Sequence, residues 1–274
     1  MKQDISASTQ EISLKRVYSN DLESVSDVVA IEAPLEIRLK SKKEIIGKAI
    51  SVTMRTPGDD VLLAKGFLFT EGILTNHIDI LACEITDENV VEVTIREEAN
   101  PTLGKAERNF YTTSSCGVCG KSSIDAIKVK SRFSLEPALP KIDKSALFNL
   151  QSKVLELQSA FTQTGGIHAA ALFTSSGELI TLREDVGRHN ATDKLIGECW
   201  GKGLLPLLDN ILFLSGRASF ELIQKATMAG IAVIVSVGAP SSLAIELAEE
   251  RGHTLVGFLK ENRFNIYCGH ERIE

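Results

Sequence analysis

Three β-to-α steps in the carboxyl-terminal half leave the chain little freedom of fold. A strand near Leu182 leads through EDVGRHN into a helix, a strand at 211–214 leads through SGRAS into a second, and a strand at 231–235 leads through SVGAPSS into a third. Repeated steps of this length build a sheet of largely parallel strands with helices on its faces. Ahead of them, Leu147, Leu150, Val154 and Leu157 recur at helical spacing and predict one amphipathic helix over 144–159. Residues 168–173 and 178–183 predict a hairpin about a turn at 174–177, and a last pair of strands is predicted at 254–259 and 264–267.

The amino-terminal half has a different texture. Residues 11–18, 35–40, 45–55 and 90–96 mix apolar and polar residues at near-alternating spacing, with SKKE from Ser41 as a turn. One helix interrupts these strands: Thr56 is expected to cap it, Pro57 to occupy its first turn, and Asp59 and Asp60 to complement its dipole. TPGDD therefore reads as a helix start rather than as chemistry. The charged, proline-bearing stretch at 128–143 reads as a linker. The expected fold class is α/β, α+β overall, with a small β-rich amino-terminal domain over 1–136 and a three-layer α/β domain over 137–274.

A formal charge of −6 argues against general nucleic-acid binding but permits one confined basic pocket. The amino terminus lacks the apolar core of a secretory signal, and no apolar run reaches the roughly 20 residues a spanning helix needs. A cytoplasmic protein is expected, without membrane association. There a C-x-x-C serves chemistry or metal binding more often than a structural disulfide.

That motif, Cys116 and Cys119, sits in TTSSCGVCGKSS at 112–123. Hydroxyl neighbours and Lys121 favour a thiolate, and the glycines predict a mobile, reactive loop. The same spacing also fits a dithiol oxidoreductase couple or half of a zinc site in a non-catalytic binding module, completed by His168 and His189. Cys83, Cys199 and Cys268 have no partner at ligand spacing. In an open α/β sheet, ligands bind at the carboxyl ends of the strands, where 185–190, 215–219 and 238–242 all fall. Gly187 with Arg188 and His189, and Gly216 with Arg217, bring positive charge to two helix starts and suit a phosphate or pyrophosphate. The competing possibility is that the arginines pair with Glu184, Asp185 or Glu221. His168, after two glycines, is either a packed core histidine or a site residue. Neither a dinucleotide nor a triphosphate glycine motif is present.

MRTPGDDVLLAKGFLFTEGI from Met54, SSCGVCGKSSID from Ser114, TGGIHAAALF from Thr164, EDVGRHNATDKLIG from Glu184 and SGRASFELIQKA from Ser215 together resemble the FdhD family of sulfur carrier proteins. The resemblance implies that a cysteine desulfurase loads sulfur onto Cys116 as a persulfide, with Cys119 as the second loop cysteine. It further implies delivery to the molybdenum or tungsten bis-pyranopterin guanine dinucleotide cofactor of formate dehydrogenase, bound as a client and not as a resident metal. The family's cofactor-binding stretch maps onto Phe258, Leu259, Lys260, Glu261, Asn262 and Arg263. Its carboxyl-terminal domain is similar to the cytidine deaminase fold, with VGRHN and SGRAS where a zinc deaminase carries H-x-E and P-C-x-x-C. The implied partners are the desulfurase and formate dehydrogenase, with a homodimer as a further expectation.

Overall fold

The computed structural model describes residues 8–103 and 131–274. The carboxyl-terminal sheet has six strands, β7 (His168–Thr174), β8 (Leu179–Asp185), β9 (Asn210–Leu214), β10 (Val233–Ser236), β11 (Thr254–Lys260) and β12 (Arg263–Cys268), in the order β12-β11-β10-β9-β7-β8. β9, β10 and β11 are parallel, while β7 is antiparallel to both β9 and β8. β8 therefore runs with β9, β10 and β11. The carboxyl ends of these four strands and the amino end of β7 share one edge.

Successive residues of a strand face opposite sides of its sheet, so each strand here feeds two cores. Ala170, Leu172, Leu212, Leu214, Ile234 and Leu255 pack beneath α5 (Arg188–Gly201), α6 (Phe220–Ala229) and α7 (Ser242–Glu250). Ala169, Ala171, Phe173, Phe213, Val235 and Val256 pack on the other side with Leu147, Leu150 and Val154. Helices thus cover both faces, and the three predicted β-to-α steps are all present. The predicted single helix over 144–159 is instead three, α2 (Lys144–Phe148), α3 (Leu150–Leu155) and α4 (Ser159–Thr164). Its apolar spacing holds at Leu147, Leu150 and Val154. One break falls at Asn149, between α2 and α3; the other comes before α4, where Gln158 leaves helical dihedrals (φ −77°, ψ 73°) and buries its amide against Glu184, leaving Leu157 exposed.

The amino-terminal half holds β1 (Thr9–Val17) and β2 (Leu22–Ala30) as a separate two-stranded hairpin. It also holds a four-stranded sheet of β3 (Ala33–Ser41), β4 (Lys48–Arg55), β5 (Ile80–Asp87) and β6 (Val90–Ile95), in the order β4-β3-β6-β5. Leu35, Ile37 and Leu39 of β3 and Val91, Val93 and Ile95 of β6 bury one face of that sheet with α1 (Asp60–Thr70). These side chains and those under α5 and α6 belong to one contiguous core. The stretch read as a linker is fastened too: the Ser131 hydroxyl donates to the Thr227 carbonyl, and Ile142 is fully buried. No helix among the described residues is long and apolar enough to cross a membrane.

α1 meets α5 backbone to backbone, and two glycines make this possible. A Cβ on Gly66 would lie 1.9 Å from the Asp193 carbonyl oxygen, and one on Gly197 would lie 2.0 Å from that of Leu62. Gly197→Ala would gain about 1 kcal/mol of helix propensity. It is nonetheless expected to destabilise the protein, because the obstacle is backbone and the helices must part, a class of change that costs roughly 1–3 kcal/mol or more. A chemical-denaturation midpoint equal to or above that of the parent would contradict this packing.

Candidate functional site

The shared edge of β7 to β11 gathers most of the expected site residues. His168 opens β7, and its ring lies against Gly216, where a Cβ would stand 3.2 Å from it. Ser215 fixes that strand end by accepting the Ala169 N–H at 2.8 Å. Gly238 donates its N–H to the Gly216 carbonyl, has Arg217 packed against it, and accepts the Phe258 N–H at 3.2 Å. This chain of contacts joins His168, Gly216, Arg217 and the start of the 258–263 stretch. Phe258 is left-handed (φ 53°) at an irregularity in the β11–β12 ladder and is exposed. Leu259 is fully buried in the second core and offers a ligand no side-chain surface. Lys260 pairs with Arg263 across the tight turn of Glu261 and Asn262, and all four stand exposed.

The electrostatics refine the expectation of clustered positive charge. Burial, then Lys225 and Arg188, push His189 down to about 4, so at neutral pH it is an uncharged hydrogen-bonding ring beside the Ser219 hydroxyl at 3.2 Å. Burial and then Arg188 push His168 down as well. The fixed charge therefore comes from the arginines. Among the described residues neither Arg188 nor Arg217 forms an ion pair, and the buried Arg188 Nε has no hydrogen-bond partner. Glu184 accepts from the Gln158 amide and the Phe161 N–H, Asp185 is taken by Lys194 at 2.7 Å, and Glu221 stands 3.8 Å from His189; among the described residues none of the three carboxylates forms an ion pair with either arginine. An unpartnered, half-desolvated guanidinium beside two helix starts suits a multiply charged anion. Beside this edge, under α3 and α4, lies a cavity of about 390 Å³ whose wall includes Gln151, Phe161, Gly166, His168, Ser215 and Val237.

The sequence reading missed what holds this edge. Thr56 does not cap α1; the helix begins at Asp60 behind a left-handed Asp59 (φ 58°). Thr56 instead donates its N–H to Asp185 and accepts the Val186 N–H on its hydroxyl. Arg55 grips Asp60 through two bonds of 2.9 Å. Asp185 also accepts the Gly187 N–H and the Asn190 amide, and that same amide reaches the Met54 carbonyl. A second buried cluster joins Asp193 of α5 to Thr70 of α1 and to Lys225 of α6. TPGDD and EDVGRHN are thus two sides of one seam. Polar residues packed densely in two distant motifs were the available signal.

Cys116 and Cys119, with the whole 112–123 stretch and its expected mobility, lie outside the described residues. Burial pushes Cys83, Cys199 and Cys268 up to about 11, which keeps these three as inert thiols. Among the described residues no group of three or more His, Cys, Asp or Glu is placed to hold a metal ion.

A search of solved structures returns a candidate formate dehydrogenase accessory protein from Desulfotalea psychrophila, with a TM-score of 0.74 and 23% identity, covering 97% of this chain and 100% of that one. At that identity the match speaks for the fold alone. The chain is 45% identical to the sulfur carrier protein FdhD of Streptomyces avermitilis over 97% of this chain and 95% of that one. It is 47% identical to that of Mycolicibacterium paratuberculosis over 90% and 92%. The FdhD/NarQ family profile matches residues 30–274. With a profile over most of its length and relatives at this identity, the chain belongs to the FdhD/NarQ family.

Proposed function

We propose that this chain is a sulfur carrier for formate dehydrogenase maturation. It takes persulfide sulfur from a cysteine desulfurase at Cys116 and delivers it to the molybdenum or tungsten bis-pyranopterin guanine dinucleotide held at the strand-end edge. The observation that carries the ligand half is the unpartnered Arg188 Nε on the edge that also bears His168, Gly216 and Arg217. The names of the relatives, with the C-x-x-C of Cys116 and Cys119 inside the family-matched residues 30–274, support the sulfur half.

In loading, the Cys116 thiolate attacks the outer sulfur of the donor persulfide, a new S–S bond forms, and the donor cysteine leaves as its thiolate. The carboxyl-terminal half is a deaminase-like scaffold in this reading, with VGRHN and SGRAS turned from metal ligation to holding phosphate. The protein works in the cytoplasm.

Guanosine diphosphate, a fragment of the client, is expected to bind weakly and to lose affinity with salt. A charge-assisted hydrogen bond contributes about 1.5–3 kcal/mol, so Arg188→Ala or Arg217→Ala should weaken that binding about tenfold or more while persulfide loading at Cys116 continues. Calorimetry with unchanged affinity in both variants would move the pocket elsewhere.

A further inference from the structure

Two adjacent isoleucines, Ile45 and Ile46, are 91% and 75% exposed, the most exposed large apolar side chains among the described residues. They form the tip of the turn between β3 and β4, and that turn is pinned. The Ser41 N–H donates to the Glu44 carboxylate at 2.6 Å, the Glu44 N–H donates back to the Ser41 carbonyl, and the Gly47 N–H donates to the Glu92 carboxylate at 2.9 Å. Gly47 is buried so closely that a Cβ there would stand 2.9 Å from that carboxylate. Single exposed apolar residues are ordinary, but two neighbours fixed on one tip enter a partner's pocket with little further ordering cost.

Charge and position narrow the partner. Lys42, Lys43 and Lys48 stand exposed around the tip of a protein whose formal charge is −6, so the tip favours a pocket with a carboxylate rim. Lys43 also reaches Glu97 at 2.7 Å, and Glu97 lies in the stretch that leads from β6 through Leu103 toward Cys116. The arginine-bearing edge lies elsewhere. β4 runs from Lys48, beside the tip, to Met54 and Arg55, and the Met54 carbonyl accepts the Asn190 amide at 2.7 Å. From Lys48 to Met54 the strand spans about 20 Å. A protein that grips the tip therefore meets the chain on its way to Cys116 without engaging that edge, which is what loading needs and cofactor delivery does not. An anionic membrane is the weaker occupant, because two side chains make a shallow anchor and the net charge opposes the approach.

We infer that the Ile45–Ile46 tip is the docking anchor for the cysteine desulfurase, which meets it with an apolar pocket and an acidic rim. This rests on the sulfur-carrier reading above.

The test is Ile45→Ser combined with Ile46→Ser in the full chain, supplied either with the desulfurase and cysteine or with glutathione persulfide, a donor that needs no docking. Enclosing one isoleucine is worth roughly tenfold or more in an equilibrium constant. The double variant should bind the desulfurase at least about tenfold more weakly by calorimetry, and should load Cys116 correspondingly slowly at low desulfurase concentration. Raising that concentration should restore loading, and glutathione persulfide should load parent and variant alike. Lys42→Glu should weaken desulfurase binding and flatten its salt dependence. Unchanged desulfurase affinity in the double variant would overturn the inference alone. A denaturation midpoint lowered as by a core substitution would also overturn it, by showing that the chain itself covers the isoleucines. So would a parent of higher mass than the variant, which would give the tip to a second copy, or phosphatidylglycerol vesicles bound by the parent and not by the variant. A parent that takes sulfur from neither donor would sink the sulfur-carrier reading and this inference with it.

Discussion

Cys116→Ser is expected to accept no sulfur from a cysteine desulfurase and cysteine, and to leave formate dehydrogenase without activity in cells that depend on this chain. Attack on a persulfide requires a thiolate, so the rate follows the ionised fraction and the access of the attacking sulfur. With pKa values pushed up to about 11, Cys83, Cys199 and Cys268 cannot take over. At neutral pH such thiols are ionised in roughly one copy per ten thousand. Their surroundings bear this out, since Cys199 is enclosed in the core and Cys268 spends its thiol on the His253 carbonyl. The intact mass should rise by one sulfur atom in the parent and stay unchanged in the variant. Full maturation by Cys116→Ser would end the assignment. Persulfide found only on Cys119 would exchange the two roles.

Much of this architecture was legible because each carboxyl-terminal step repeats one pattern: an apolar run, a glycine- or serine-bearing turn, a helix. The last two strands and their turn at Glu261 and Asn262 were readable in the same way. The illegible parts depend on tertiary partners. β2, LESVSDVVA, alternates poorly because most of the hairpin faces water. β5 was missed for a similar reason: its second half, from Glu84 to Asp87, is exposed. The helix expected over 144–159 does not run on into α4, because Gln158 leaves helical dihedrals and finds Glu184, a residue 26 positions away. Thr56 had every attribute of an N-cap, yet its N–H and hydroxyl serve a loop about 130 residues downstream. At the site, glycine-arginine pairs were visible in sequence. The neutrality of His189 was not, because it follows from burial and from Lys225, which the chain brings from another helix.

Lys194→Met is expected to cost the protein about 3–5 kcal/mol, the usual penalty for stripping a buried carboxylate of its counter-charge. Lys194 and Asp185 are both fully enclosed, and their 2.7 Å contact is the centre of the seam between the halves. The ammonium also donates to the carbonyls of Thr56 and Glu184, at 2.9 and 3.3 Å. Methionine keeps most of the stem's volume, so the loss reads charge and hydrogen bonds rather than a cavity. Burial pushes the Asp185 carboxyl up, and Lys194 is the strongest influence against that push. Without it the folded-state value must climb further above the unfolded one. A carboxyl raised in the folded state binds its proton more tightly there, so acidification favours folding. The gap between variant and parent should therefore narrow as the pH falls and be widest at neutral pH and above. Asp185→Asn added to Lys194→Met should recover part of the loss at neutral pH, since a neutral amide needs no counter-charge. The same variant tests the link from seam to site. Asp185 holds the Gly187 N–H and the Asn190 amide, so a disturbed Asp185 loosens the turn that presents Arg188. Guanosine diphosphate binding should weaken in Lys194→Met under conditions where the variant remains folded. A penalty below about 1 kcal/mol, within the range of a surface ion pair, would remove Lys194 from the centre of the seam. A penalty that does not change with pH would mean that the lost stability comes from packing and not from the abandoned carboxylate.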